Sequence, residues 1–299
     1  MRTQQRAMLA LASAVFTCFL TNHAAGQEGP HYSILSVRVG GAGPSLSINN
    51  RRMVVGSSVR VDENGEATLF GFALQDRFLD PIDFVESPAV SGHVFVRGNN
   101  DRGEIVGMGT FGTSQIGFRY SLGKLESINI PNASFPAIPE DINNSGDVVG
   151  WTQILDPFGE PGFLFSGGRV TLFQAPDATR PVAMRPMGIN DNRDIVGSYD
   201  NRGFLLRNGA YTRIHVPNAL STGPGDINNR GTIVGSYTDA ATTHGFVLRN
   251  GRFTTIDIPS AVRTAIVSIN DSGDIVGIFF DGNRERAFRS NISEFINLN

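Results

Sequence analysis

The sequence predicts an all-β chain, a six-bladed β-propeller built from four-stranded antiparallel repeats. Three observations carry that expectation. A nine-residue phrase recurs in near-copies beginning at Ile48 (INNRRMVVG), Asn99 (NNDRGEIVG), Ile142 (INNSGDVVG), Ile189 (INDNRDIVG), Ile227 (INNRGTIVG) and Ile269 (INDSGDIVG). The copies lie roughly 40 residues apart, the period of small sheets that hide both faces only by stacking on one another, most often in a ring. After residue 26 no segment sustains the i, i+3, i+4, i+7 apolar spacing of an amphipathic helix.

The elements of one repeat are clearest between residues 222 and 260. A short stretch ends in Asp226-Ile227-Asn228, the turn Asn229-Arg230-Gly231 follows, and 232–237 is β-branched and apolar. A loop leads to the third strand, His244-Gly245-Phe246-Val247-Leu248. Then come the turn Arg249-Asn250-Gly251 and an alternating fourth strand that Pro259 stops. Asn-Gly between alternating strands is a hairpin signal because a type I′ turn needs positive φ at both central residues. The second position of every phrase is Asn (Asn49, Asn100, Asn143, Asn190, Asn228, Asn270) and the ninth is Gly (Gly56, Gly107, Gly150, Gly197, Gly235, Gly277). Each Asn is expected to cap its own hairpin, and Gly103, Gly146, Gly231 and Gly273 to take positive φ.

Spacing separates two kinds of connection. From the third-strand Phe to the Pro that ends the fourth strand is 13 residues in four repeats: Phe118 to Pro131, Phe163 to Pro176, Phe204 to Pro217 and Phe246 to Pro259. From the ninth-position Gly to that Phe is 16, 11, 13, 7, 11 and 11 residues in the successive repeats. In a four-stranded blade the first-to-second and third-to-fourth turns share one rim and the remaining connections share the other. The constant turns therefore gather on one face and the variable loops on the opposite face, where binding usually resides.

The chain divides into 1–26, 27–44 and 45–299. Residues 1–26 carry two arginines, an apolar run from Ala7 to Leu20 and the small residues Ala24-Ala25-Gly26, the pattern of a secretory signal peptide. The apolar run is shorter than a bilayer span requires. The expected location is secreted or periplasmic, with no membrane association after cleavage. Cys18, the only cysteine, falls inside this segment, so the mature chain has no thiol for disulfides, zinc or nucleophilic catalysis. A net charge of −3 without a basic stripe argues against nucleic acid as a partner. Residues 27–44 contain a strand-like stretch starting at Tyr32. It competes with 292–299 for the fourth-strand slot of the last repeat, and the sequence leaves both arrangements open.

The phrase Ile269-Asn270-Asp271-Ser272-Gly273-Asp274-Ile275-Val276-Gly277, followed by a short aromatic strand and an Asn-Gly hairpin, resembles the HAF repeat of exported bacterial proteins. The resemblance spans about 45–299, although the naming tripeptide reads His244-Gly245-Phe246 in one copy and Arg286-Ala287-Phe288 in another. It implies export and propeller-like β repeats, and it supplies no catalytic residues.

The chemistry-bearing residues are few. The oxygens of Asn270, Asp271 and Asp274 sit close in sequence, yet the copy from Asn49 to Met53 holds two arginines, so no metal site is expected and no cofactor. His31, His93, His215 and His244 lie in no metal-ligand spacing; His93 and His244 are the pair the loop face could bring together. There is no Gly-x-Ser-x-Gly. The candidate catalytic carboxylates are Glu140, Asp141 and Asp226, read as immediately preceding first strands near the channel mouth, with Glu160 on a longer loop. The candidate binding residues are the aromatics of the variable segments: Trp151, Phe158, Tyr199, Tyr237, Phe111 and Phe135. For Tyr199, Tyr237 and Trp151 packing between blades is the competing expectation. Together these features suggest an exported module that recognises an extracellular ligand or protein through its variable-loop face. The alternatives are a carbohydrate-active hydrolase or lyase working from the same face and a structural cell-envelope protein.

Overall fold

The computed structural model describes residues 32–35, 46–61, 67–75, 78–81, 94–111, 113–154, 159–176 and 182–296. The expected signal peptide, His93 and Phe158 lie outside them. Six four-stranded antiparallel sheets form the blades of a propeller, and in blades 1 to 5 strand order follows the chain. Those blades span 46–81, 94–128, 138–173, 185–214 and 221–256. Blade 6 takes three strands from 263–291, and its outermost strand is Tyr32–Leu35, with Tyr32 opposite Ser290 and Leu35 opposite Ala287. The N-terminal strand therefore occupies the contested slot. Ser293–Ile296 is a single helical turn that buries Phe295 in the core of blade 6, and not the fourth strand that 292–299 resembled. Among the described residues no helix is long and apolar enough to cross a membrane.

The core lies between blades and repeats with them. The third-strand phenylalanines Phe72, Phe118, Phe163, Phe204, Phe246 and Phe288 are at most 1% exposed. Each packs against the Val in the eighth position of the preceding blade's phrase: Val55 with Phe118, Val106 with Phe163, Val149 with Phe204, Val196 with Phe246, Val234 with Phe288. Val276 of blade 6 packs with Phe72 of blade 1, which closes the circle. No blade buries its own Phe alone, so the ring is the smallest unit with a complete core.

The ninth-position Gly answers to a backbone constraint. In blades 2 to 6 the first strand is bulged at Arg97, Glu140, Met187, Gly225 and Val267. The bulge pushes a carbonyl toward the second strand, where a Cβ on Gly150 would sit 2.0 Å from the oxygen of Ile138 and one on Gly197 2.1 Å from that of Arg185. The same bulge leaves its extra residue lining the axial channel.

At the turn end of the channel the six phrase asparagines form a closed hydrogen-bonded ring. Within its own turn Asn143 Oδ1 accepts the amides of Ser145 (3.0 Å) and Asp147 (2.9 Å), as expected of a cap. Its Nδ2 then reaches the next blade, donating to Asn190 O at 3.0 Å. Asn49 to Asn100 (2.9 Å), Asn100 to Asn143 (2.9 Å), Asn190 to Asn228 (3.2 Å), Asn228 to Asn270 (3.0 Å) and Asn270 to Asn49 (3.1 Å) complete the circuit. All six are buried.

The following residues make a second ring in which amides and carboxylates alternate: Asn50, Asp101, Asn144, Asp191, Asn229, Asp271. Asn144 Nδ2 is shared between Asp101 (2.9 Å) and Asp191 (3.0 Å), and Asn229 Nδ2 between Asp191 (2.8 Å) and Asp271 (2.9 Å). Asn50 Nδ2 likewise joins Asp101 (2.8 Å) and Asp271 (3.0 Å).

Local turn geometry follows the sequence. Gly103, Gly146, Gly231 and Gly273 have φ of 77°, 81°, 74° and 80°, and the Asn250-Gly251 pair has φ of 52° and 76°. The two families of constant turns share a rim: Arg193 in the first turn of blade 4 donates to Ser166 Oγ in the third-to-fourth hairpin of blade 3 at 3.0 Å.

Replacing Asn143 by Ala removes two caps and the link to blade 4 at once, leaving buried backbone groups unpaired. We expect a loss of about 2–4 kcal/mol in urea unfolding with the denaturant slope unchanged. Exposed Asn129, just past the outer strand Lys124–Ile128, should tolerate Asn129→Ala within about 0.5 kcal/mol. Equal midpoints for the two variants would show that the ring does not stabilise the fold.

Candidate functional site

Glu140 is the bulged residue of blade 3, and its carboxylate organises the loop-side mouth of the channel. Oε1 accepts Trp151 Nε1 at 3.0 Å and Oε2 accepts Arg97 Nη1 from blade 2 at 3.0 Å. Trp151 ends the strand Val148–Trp151 and lies opposite Ile138. On its ring, 3.8 Å from the centroid, sits the guanidinium carbon of Arg185, the first residue of blade 4. Arg185 also pairs with Glu160 on the loop of blade 3 and donates to Met184 O at 2.9 Å. The cation on the electron-rich ring face, the hydrogen bond at the ring edge and the flanking ion pairs hold the indole in one orientation. Burial pushes the Glu140 carboxyl above its ordinary value, opposed by the nearby Arg97 charge and the hydrogen bonds from Trp151 and Arg97.

Asp141 and Asp226 line both spaces of the channel, next to the phrase asparagines, and their position corrects the sequence reading. Like Glu140, they stand inside first strands, Ile138–Ile142 and Ser221–Ile227, rather than ahead of them. Each latches a blade to the next: Asp141 Oδ2 accepts Ile189 N at 2.9 Å, and Asp226 Oδ2 accepts Ile269 N at 2.9 Å and Ser268 Oγ at 2.6 Å. Ser268 Oγ in turn accepts Ile48 N of blade 1 at 3.2 Å. Blades 2 and 4 have Gly98 and Gly188 at this place, where a Cβ would come within 2.7 Å of the Cα of Asp141 or Asp226. Burial pushes Asp226 up to about 6. It also raises Asp141 well above its ordinary value, with the Asp226 charge adding to the effect.

The spaces around these carboxylates are small. A cavity of about 30 Å³ lies among Arg97, Glu140, Asp141, Met187, Asp226 and Ser268. One of about 60 Å³ lies beside the two asparagine-bearing rings. Pockets that enclose organic ligands run to roughly 300 Å³ or more, so these hold water-sized occupants.

The other aromatics do not join the frame. Tyr199 is buried in blade 4 with its ring 6.1 Å from Phe204. Tyr237 stacks on His244 at 5.0 Å and bonds Thr255 Oγ1 at 3.0 Å. Phe111 packs edge-on against Phe118 at 6.0 Å. Phe135 lines a separate cavity of about 290 Å³ with Gln115, Ile116, Asn129 and Pro136. His244 lies between Asp257 (2.8 Å) and Asp239 (3.4 Å) on blade 5. Of the sequence candidates, Trp151 and Glu140 meet directly. Arg97 and Arg185 escaped the sequence reading, yet a signal existed. Arg97 stands where other blades have Leu46, Met187, Gly225 and Val267, and Arg185 where they have Phe95, Ile138, Gly223 and Ala265.

No family model matches the sequence, and no curated protein matches it. Solved structures do resemble the fold. TolB from Acinetobacter baumannii is 11% identical with a TM-score of 0.50, covering 79% of this chain and 63% of TolB. A streptogramin B lyase is 12% identical with a TM-score of 0.47, covering 87% and 97% of the two chains. A gluconolactonase from Xanthomonas campestris is 12% identical with a TM-score of 0.48, covering 92% and 94%. At such identities the likeness concerns the propeller architecture alone.

The buried carboxyls make stability depend on pH in a defined direction. Folded, Asp226 keeps its proton up to about pH 6, whereas unfolded it loses it near its ordinary 3.8. The folded state therefore binds more protons between these values, and stability is gained as pH falls through that window. Asp147, Asp194 and Asp274 act oppositely. Although burial opposes it, hydrogen bonds from Arg193, Arg207 and Arg52 hold them below 3.8, and the stability they contribute is lost only at lower pH. We expect the urea midpoint to rise from pH 7 to about pH 5, and Asp226→Asn to flatten that rise. A wild-type midpoint that stays level or falls over this range would refute the assignment.

Proposed function

We propose that this chain is an exported binding module of the HAF-repeat kind that takes a polar ligand, such as a saccharide or peptide, at the loop-side mouth of its channel. The observation that carries this reading is the orientation of Trp151, fixed by Glu140 at its edge and Arg185 on its face. An aromatic group held before the ligand arrives loses little freedom on binding. The mixed charges of Arg97, Glu140, Arg185 and Glu160 supply donors and acceptors for a polar partner. Export is supported by the signal-like pattern of residues 1–26. A second reading, an extracellular hydrolase or lyase, draws on the raised carboxyls of Asp141 and Asp226. The water-sized spaces beside them favour binding over turnover.

Trp151 is the only tryptophan, so its emission reports on the site directly. Titration with neutral oligosaccharides, uronic acid oligosaccharides and short peptides should give a saturable change with one class. Arg185→Ala should weaken it at least tenfold while the circular dichroism spectrum is preserved. Saturable binding by calorimetry that is indifferent to both Arg185→Ala and Trp151→Phe would remove the site from this face. Product release abolished by Asp226→Asn would transfer the assignment to the enzyme reading.

A further inference from the structure

The turn face carries a site that emerges when the blades are compared with one another. Four blades place an acid four residues after the ring asparagine, and each acid has its own guanidinium. Arg102 pairs with Glu104 at 3.0 Å, Arg193 with Asp147 at 2.7 Å, Arg207 with Asp194 at 2.7 Å and Arg52 with Asp274 at 2.8 Å. The guanidinium comes from the same turn (Arg102), from the end of the blade's third strand (Arg207), or from the turn of the following blade (Arg193, Arg52).

Blade 5 has Thr232 in the acid's place and keeps two of those arginines. Arg230 precedes Thr232 as Arg102 precedes Glu104, and Arg249 ends the third strand of blade 5 as Arg207 ends that of blade 4. Among the described residues neither guanidinium has a carboxylate partner. Both line one cavity of about 190 Å³ between blades 5 and 6, together with Thr232, Ser272 and the apolar Ile292. The carboxylate that borders it, Asp271, is already committed. Its Oδ1 accepts Asn229 N, and its Oδ2 accepts the side-chain amides of Asn229 and Asn50.

We propose that this cavity binds an oxyanion between Arg230 and Arg249, where the anion takes the place of the side-chain carboxylate that blades 2 and 4 supply for themselves. The chemical class is a phosphate, a sulfate or the carboxylate of an acidic sugar, each matched to the planar donor fork of arginine. Both arginines are exposed, so the affinity is modest and weakens with salt. The site lies on the rim opposite the Trp151 frame and does not depend on it.

The test uses the whole chain at constant ionic strength, balanced with sodium chloride, and follows thermal unfolding and calorimetry against inorganic phosphate and trigalacturonate. The wild type should show saturable binding of at least one probe. Arg230→Gln and Arg249→Gln should each weaken it at least tenfold. Thr232→Asp restores the missing carboxylate within the chain and should abolish binding without lowering the melting temperature of the unliganded protein. Should Thr232→Asp fail to fold, the two surface arginine variants alone decide the matter. Tenfold tighter trigalacturonate identifies an acidic sugar as the source, and the reverse identifies phosphate. No saturable response in the wild type, or binding unchanged in both arginine variants, overturns the proposal.

Discussion

The structure depends on a circular hydrogen-bond constraint. Each ring asparagine caps its own turn through its oxygen and spends its amide on the carbonyl of the next blade, so no turn is complete until its neighbour is in place. The valine-to-phenylalanine contacts between blades obey the same logic. A buried amide without its acceptor costs more than a formed bond contributes, which makes an open ring unfavourable at the gap. The contacts that secure the seam between the termini include the N-terminal strand laid on blade 6, the bond from Asn270 to Asn49 and the pair of Arg52 with Asp274. The outer ring adds a condition on number. Amides donate and carboxylates only accept, so their alternation closes without conflict only around an even count of blades.

The two proposed sites arise where the blades depart from their own pattern. In blades 2 to 6 the bulge that demands a glycine on the second strand also directs one residue into the channel. Where that residue is Val267 or Met187 it fills space; where it is Arg97 or Glu140 it builds a charged frame around Trp151. On the other rim the substitution of Thr232 for an acid leaves two guanidinium groups without their usual partner. Symmetric positions hold the ring together, and both proposed binding sites lie where the symmetry is broken.

The axial carboxylates illustrate how a shared residue type can serve different ends. Asp141 and Asp226 would read as an acid–base pair from sequence position and raised proton affinity alone. Their oxygens accept backbone amides of the following blades, glycines of the preceding blades leave them room, and the adjacent spaces admit water. Glu140 differs because its partners are side chains at the mouth, two of them on neighbouring elements that a ligand can touch.

Much of this architecture was determined by the sequence itself. The six copies of the phrase determined the number of blades, and the Asn-Gly pairs their hairpins and the phrase asparagines their caps, because these last two rest on hydrogen bonds within a few residues. The tertiary structure alone decided which terminus seals the last blade, that Asp141 and Asp226 lie within strands as latches, and that Arg185 of one blade covers Trp151 of another. Tyr199, Tyr237, Phe111 and Phe135 share the sequence character of Trp151, yet they pack against Phe204, His244, Phe118 and the wall of a separate cavity. Those outcomes are contacts between residues well separated along the chain, and their partners are chosen by ring closure and by the shape of the space between blades rather than by local periodicity.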